Sequence, residues 1–241
     1  HFEQISADGN AASNLLLNEE WLKEMQVLGN CFVYLVFCFV FAIWYKRAFL
    51  TGEKKQCGKR KGFSVSGLLG AVAFGISIQC LCSYALNLLL PLFPKVQKDY
   101  MALMDSMGTG QGFFPLIYMG ILAPVAEELI FRGLILGYEK RELPFWCANF
   151  IQAFFFGVYH QNVVQFVYAF FIGILLGCLR HRQQSLKTVM LIHGIINITG
   201  NLLAFFKLDV LMERKSYMFM GIAVSLTAAI VSYLYLRKRK Q

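Results

Sequence analysis

The sequence predicts an all-α membrane protein, a polytopic bundle of about seven transmembrane helices around a polar catalytic cavity. Of its 241 residues, 57% are hydrophobic and only 15% are charged, whereas soluble domains are about 25% charged. The apolar residues also form long runs separated by short basic segments, which is typical of helices that cross a bilayer. The length fits one membrane domain without a second globular one.

Seven apolar runs give the predicted spans: 28–45, 64–93, 113–137, 145–161, 163–179, 188–206 and 217–236. The fourth run is short, and the second is long enough to tilt or to turn near Pro91 and Pro94. Residues 1–26 are a polar lead-in, with an interfacial helix at 18–25, or else an added or processed end. We therefore expect a single membrane domain at 27–241, with its polar motifs at about 113–206.

The basic residues predict an orientation. The net charge is +9, but 22 of the 23 Lys and Arg lie in tails and loops, so membrane lipid explains them better than nucleic acid does. On the predicted spans, 16 of them lie on one side and 6 on the other. The positive-inside rule then places the N-terminus outside and the C-terminus in the cytoplasm.

The cysteines and glycines carry no chemistry of their own. Seven scattered cysteines, an odd number without paired metal spacing, exclude a disulfide framework or a zinc knuckle. The Gly-rich segment 108–112 lacks the Lys-Ser/Thr ending of a phosphate-binding loop. Gly173 and Gly177 form a small-xxx-small pattern that favours close helix packing.

Three charged residues lie within the third predicted span. Glu127, Glu128 and Arg132 interrupt the apolar run at 113–137, and charged groups at membrane depth indicate a functional site or a structural ion pair. Glu128 and Arg132 are spaced i,i+4 and can pair on one face. Glu127 points about 100° away from Glu128, so its partner must come from another helix.

Three more polar side chains lie in the later spans. His193 and Asn197 share one helix face through i,i+4 spacing, and His160 ends the short fourth run. Taken singly, each could be a packing residue. Together with the carboxylates they supply a base, imidazoles and hydrogen-bond donors for activating water and stabilising an oxyanion. Upright helices would spread them over about 13 Å of depth, so we expect the 145–161 helix to be displaced or tilted, or the 138–144 turn to lie below the membrane surface.

Three segments, in order, resemble the motifs of one family of membrane proteases. Glu127-Glu128-Leu129-Ile130-Phe131-Arg132 fits EExxxR, Phe156 to His160 fits FxxxH, and His193 to Asn197 fits HxxxN. The set resembles the CPBP or Abi family, which includes the CAAX prenyl endopeptidase and bacterial relatives in bacteriocin processing and self-immunity. The resemblance covers about residues 120–200.

The resemblance implies an intramembrane endopeptidase whose cavity is reached from the cytoplasmic side. Glu127 with His160 would activate a water, and His193 with Asn197 would hold the oxyanion. The supporting residues would be Glu128, which could share the base role, Arg132 and Phe156. A metal-free glutamate mechanism is favoured, because the His-Glu-x-x-His spacing is missing. The alternative is a zinc ion on Glu127, His160 and His193.

Other functions stay open. The same polar cluster could serve a non-enzymatic immunity or scaffolding protein that only binds a peptide, or a proton-coupled transporter. For a protease, the expected partner is a membrane-associated peptide or protein: a leader or pheromone peptide in a bacterium, or a lipidated C-terminus in a eukaryote. The short chain and compact loops favour a bacterial cytoplasmic membrane.

Overall fold

The computed structural model describes residues 2–51, 64–109, 112–212 and 215–238, with side chains from Trp21 onwards except at 209, 215 and 216. All regular secondary structure in this part of the chain is helical. The helices are α1 (Phe2–Tyr45), α2 (Val65–Leu89), α3 (Pro94–Ser106), α4 (Phe113–Glu142), α5 (Phe145–Tyr159), α6 (Val163–Gln183), α7 (Leu186–Phe205), α8 (Asp209–Met212) and α9 (Lys215–Lys238).

Six segments are long and apolar enough to cross a membrane: Trp21–Leu50, Val65–Leu92, Phe113–Glu142, Val163–Gln183, Leu186–Phe205 and Tyr217–Lys238. A seventh apolar helix, α5, has 15 residues and is about 22 Å long, shorter than a bilayer core of about 30 Å. The predicted all-α membrane bundle of about seven spans is therefore confirmed.

The first span differs from its prediction in where it begins. Residues 18–25, expected as a separate interfacial helix, continue without a break into the apolar part of α1. The helix ends in a π-helical turn at Lys46–Leu50. Most of the basic loop predicted at 46–62 lies outside the described residues.

A buried apolar cluster joins α2, α6, α7 and α9 and holds α7 in place. It includes Phe74 of α2, Leu176 of α6, Ile192 of α7 and Leu236 of α9, each at most 2% exposed. Burial of this apolar surface fixes the face that α7 turns towards α4, since that face is opposite the cluster.

Helix α4 approaches α7 through two glycines. A Cβ on Gly194 would meet the Gly120 carbonyl oxygen at 2.8 Å, and a Cβ on Gly120 would meet Ile198 Cγ1 at 2.6 Å. Only residues without a side chain allow this separation. The α-helical segment Ala123–Glu128 of α4 is flanked by π-helical turns at Tyr118–Leu122 and Leu129–Ile135, a feature that frequently marks functional sites.

Helices α5 and α6 form a tight hairpin. A Cβ atom on Gly173 would crowd Ala153, and a Cβ atom on Gly177 would overlap Asn149. The predicted close packing of these two glycines is therefore confirmed. Gln152 Nε2 donates to the Gly173 carbonyl at 3.0 Å. Asn162 caps α6 with its side-chain oxygen, and this turn sets His160 at the end of α5.

Candidate active site

A cavity of about 650 Å³ is lined by residues from helices α1 to α7. Five predicted site residues line it: Glu127, Phe156, His160, His193 and Asn197. His160 and His193 share this one cavity although their helices would place them at different depths if upright, because the short α5 ends beside it. Glu128 and Arg132 are not among the described residues that line the cavity.

Glu128 and Arg132 form a fully buried pair behind the cavity wall. Arg132 Nη1 lies 2.8 Å from Glu128 Oε1, and both side chains are 0% exposed. The Arg132 guanidinium also lies over the Phe156 ring, 4.2 Å from its centroid. The geometry that the i,i+4 spacing predicts is therefore present, and the aromatic face adds cation–π attraction.

His193 lies between the two carboxylates. Its Nδ1 is 2.9 Å from Glu128 Oε1, and its Nε2 is 3.7 Å from Glu127 Oε2. An ionised carboxylate only accepts, so Nδ1 donates to Glu128 and the ring is held with Nε2 towards Glu127 and the cavity. Glu127 thus has its partner on another helix, as its position on α4 requires.

His160 is oriented by the residue four positions before it. Its Nδ1 lies 2.8 Å from the Phe156 carbonyl oxygen, which can only accept, so Nδ1 carries a proton. In the neutral ring Nε2 is then the basic atom. The Phe156 ring packs edge-to-face against both His160 and His193, at 5.0 and 5.7 Å between centroids, and so spaces the two imidazoles.

Asn197 lies one turn along α7 from His193. Its Nδ2 donates to the Met119 carbonyl of α4 at 2.8 Å, a carbonyl in the first π-helical turn. An amide nitrogen carries two hydrogens, so this bond uses one of them. The side chain is fixed against α4 and keeps a second donor at the cavity wall.

Two tyrosines at the cavity were not predicted from the sequence. Tyr34 of α1 and Tyr159 of α5 line the cavity, and their hydroxyl oxygens are 3.0 Å apart. Both interact electrostatically with Glu127. Tyr159 stands next to His160 within a recognised motif, which was a usable signal. Tyr34 lies on a helix outside the motif region. The only sequence signal for it is a hydroxyl group within an apolar run.

Helix α3 contributes to the wall of the cavity. Tyr100 and Leu103 of this helix line it, as do Met107 just after it and residues at the end of α5 and the end of α7. Burial raises the pKa of the Tyr100 hydroxyl, so at neutral pH it stays a neutral donor.

The residues proposed for a zinc ion do not form a ligand set. Within the described parts of the chain, no group of three His, Cys, Asp or Glu side chains comes together as a metal site would require. Glu127 and His193 approach each other, and His160 lines the same cavity.

The comparison with protein families agrees with the geometry. Residues 109–199 match the family described as Type II CAAX prenyl endopeptidase Rce1-like. This part of the chain is therefore similar to that family. The Rce1-like segment begins just before α4, runs into α7 and includes all three motifs, so the resemblance that they predicted is confirmed. No curated protein and no solved structure matches the chain.

The Rce1-like family implies a CAAX-type endopeptidase that acts on a peptide or protein. Together with the six long apolar helices, this match supports an integral membrane protein. Helices α1, α2, α3 and α9 lie outside the Rce1-like segment, yet α1, α2 and α3 supply walls of the same cavity.

Proposed function

We propose that this protein is an intramembrane endopeptidase in which Glu127 activates a water molecule for attack on a peptide bond. The observation that carries the proposal is the meeting of Glu127, His160, His193 and Asn197, from three helices, at one cavity. General base, imidazole and amide donor are the groups that peptide hydrolysis by water needs.

Glu127 is the base. It faces the cavity, and its Oε2 is 3.7 Å from His193 Nε2, beyond hydrogen-bonding distance. Its oxygens can therefore accept a proton from a water in the cavity. Glu128 differs, because Arg132 and His193 both approach its Oε1 and it does not reach the cavity. We assign Glu128 a positioning role rather than a share in the base.

His160 assists Glu127 at the same cavity. With Nδ1 donating to Phe156, its Nε2 can accept a hydrogen bond from the same water or carry a proton to the leaving amine. Either use requires the ring to stay in one orientation. The Phe156 carbonyl and ring provide that orientation, which explains the four-residue spacing of the second motif.

His193 and Asn197 stabilise the oxyanion. Both side chains are held from behind, His193 by Glu128 and Asn197 by the Met119 carbonyl, so they need no reorganisation when negative charge develops. A protonated His193 Nε2 and the second Asn197 N–H would donate to the oxygen of the tetrahedral intermediate. No step requires a metal, and the activity is accordingly expected to be of the glutamate type.

The substrate is a membrane-associated peptide or protein. A cavity of about 650 Å³ has the size of sites that bind small ligands, so it accepts a short extended segment rather than a folded domain. A leader or pheromone peptide and a lipidated C-terminus both satisfy this condition. Lipid contacts the exposed apolar faces, such as Phe32 and Phe39 of α1.

The test is a cleavage assay with the purified protein and membrane-associated peptides, with the products identified by mass spectrometry. The proposal predicts that the wild-type protein cuts the substrate peptide at one peptide bond. The His193→Ala variant should not cut this bond, although it remains folded and inserted. A protein that binds the peptides without cutting any of them would instead support the non-enzymatic immunity or binding function.

A further inference from the structure

Helix α1 is fixed along α4, although it lies outside the Rce1-like segment. Cys38 Sγ of α1 donates to the Leu122 carbonyl of α4 at 3.3 Å. Further along the same two helices, a Cβ on Gly133 would meet the Tyr45 ring at 3.1 Å, so the helices approach closely there. Tyr34 lies one turn before Cys38 on the same face of α1. The packing of the two helices therefore turns Tyr34 towards α4.

Aromatic stacking holds the Tyr34 ring in place. It lies on the Tyr118 ring of α4, with 6.1 Å between the two centroids and 24° between the two planes. Tyr118 is itself only 2% exposed, and its hydroxyl donates to the Met107 carbonyl at 3.1 Å. The residue that supports Tyr34 is therefore anchored, and this defines the position of the Tyr34 hydroxyl.

Tyr159 of α5 meets Tyr34 at the cavity. Both residues line it, and their hydroxyl oxygens are 3.0 Å apart. The Tyr159 ring packs edge-on against Phe131 of α4, at 5.7 Å between centroids, and edge-on against the ring of His160, at 5.6 Å. The hydrogen bond between the two tyrosines thus links α1 to α5 beside an imidazole of the proposed site.

One hydroxyl hydrogen of this pair is left over. Each tyrosine has a single O–H, and the bond between the two hydroxyls uses one of the two hydrogens, whichever residue donates it. Among the described residues, no further protein acceptor bonds either hydroxyl. A polar hydrogen inside an apolar bundle is costly without an acceptor. This hydrogen is therefore available to a water molecule or a substrate oxygen in the cavity.

Glu127 provides an acceptor in the same cavity. It lines the cavity together with both tyrosines, and its charge interacts with both hydroxyls. A single water molecule between them would accept a hydrogen bond from the free tyrosine O–H and donate one to the Glu127 carboxylate. The second lone pair of the water oxygen would then be free to attack a peptide carbonyl.

We propose that the Tyr34–Tyr159 pair is a further catalytic element, which donates a hydrogen bond to the water that Glu127 activates and so fixes the position from which this water attacks. The inference rests on the proposed peptidase function. Both tyrosines keep their protons throughout, because the proton that leaves the water passes to Glu127. Helix α1, which lies outside the Rce1-like segment, thereby supplies a part of the site.

The test is the cleavage kinetics of Tyr34→Phe, which removes one hydroxyl and keeps the stacked ring. We expect kcat to fall about fivefold to tenfold, the usual effect of losing one hydrogen bond, while KM changes by less than about twofold. The melting temperature should not change. Tyr159→Phe should lose as much activity, and the double variant should lose no more than either single variant, because the two hydroxyls act as a pair.

Tyr45→Phe is the matched control, because it makes the same chemical change on the same face of α1. The Tyr45 hydroxyl accepts from Arg180 Nη2 at 3.4 Å, and Tyr45 is not among the described residues that line the cavity, so kcat should stay at the wild-type value. Wild-type kcat in Tyr34→Phe, or an equal loss in Tyr45→Phe, would overturn the inference and leave the peptidase function standing. If the wild-type protein cuts no peptide, the proposed function fails, and this inference fails with it.

Discussion

His193 Nδ1 lies 2.9 Å from Glu128 Oε1, and this hydrogen bond joins α7 to α4 at the centre of the site. The same carboxylate oxygen lies 2.8 Å from Arg132 Nη1. The Glu127 carboxylate approaches the other nitrogen of the same imidazole ring, at 3.7 Å. The two glutamates therefore differ in role: Glu128 orients the His193 ring, and Glu127 faces the cavity.

Glu128→Ala should destabilise the protein more than Glu127→Ala. Removing Glu128 leaves Arg132, which is 1% exposed, as a buried charge without its partner, at a cost of about 3 to 5 kcal/mol. Removing Glu127 leaves Arg132 paired with Glu128. Melting temperatures of the two variants in detergent check this, and equal values would contradict the structural role of Glu128. The double variant Glu128→Met/Arg132→Met should recover part of the loss.

Gly194→Ala should separate α4 from α7. Its methyl group would meet the Gly120 carbonyl oxygen at 2.8 Å, so the helices must move apart by several tenths of an ångström. Both stability and cleavage should fall, because Glu127 and His193 lie on the two helices. Gly29→Ala is the matched control, since no atom lies within 4 Å of its new methyl group. Equal behaviour of the two variants would refute the close approach.

Asn197→Leu should lower kcat by about a hundredfold to a thousandfold, the usual cost of losing one oxyanion donor, while KM changes little. Asn201→Leu is the control, because Asn201 also lines the cavity and also donates to a backbone carbonyl, that of Asn197, at 3.0 Å. If both variants lose the same activity, Asn197 acts through structure rather than through the oxyanion.

Cleavage should survive a strong chelator. The described carboxylates and imidazoles do not gather into a three-ligand set, and the proposed chemistry needs only water and side chains. Rates are compared before and after prolonged incubation with chelator, with zinc added back to a third sample. Loss of activity that zinc restores would replace the glutamate mechanism with a metal mechanism.

Much of the fold could be predicted because the bilayer imposes a simple rule: backbone polar groups must be satisfied within a helix. Apolar runs therefore predicted the spans, and the pairing of Glu128 with Arg132 followed from helix periodicity alone. The start of α1 was not predictable in this way, since the polar composition of residues 1–26 does not show that the helix continues.

The site was only partly readable from the sequence. Spacing places His193 and Asn197 on one face, but it does not show which glutamate reaches a cavity, because that depends on how α4 rotates against α7. The π-helical turns around Ala123–Glu128 set this rotation, and they have no sequence pattern we could use. Tyr34 comes from a distant helix, so only tertiary structure brings it to Tyr159.

The most direct measurement is the cleavage rate of Glu127→Gln, which keeps the shape of the side chain and removes its basicity. As a control, Glu142→Gln makes the same chemical change on an exposed residue at the end of α4. We predict that Glu127→Gln loses a factor of about 10² to 10⁴ with its melting temperature unchanged, and that the control keeps full activity. Cleavage by Glu127→Gln at the wild-type rate would contradict the account.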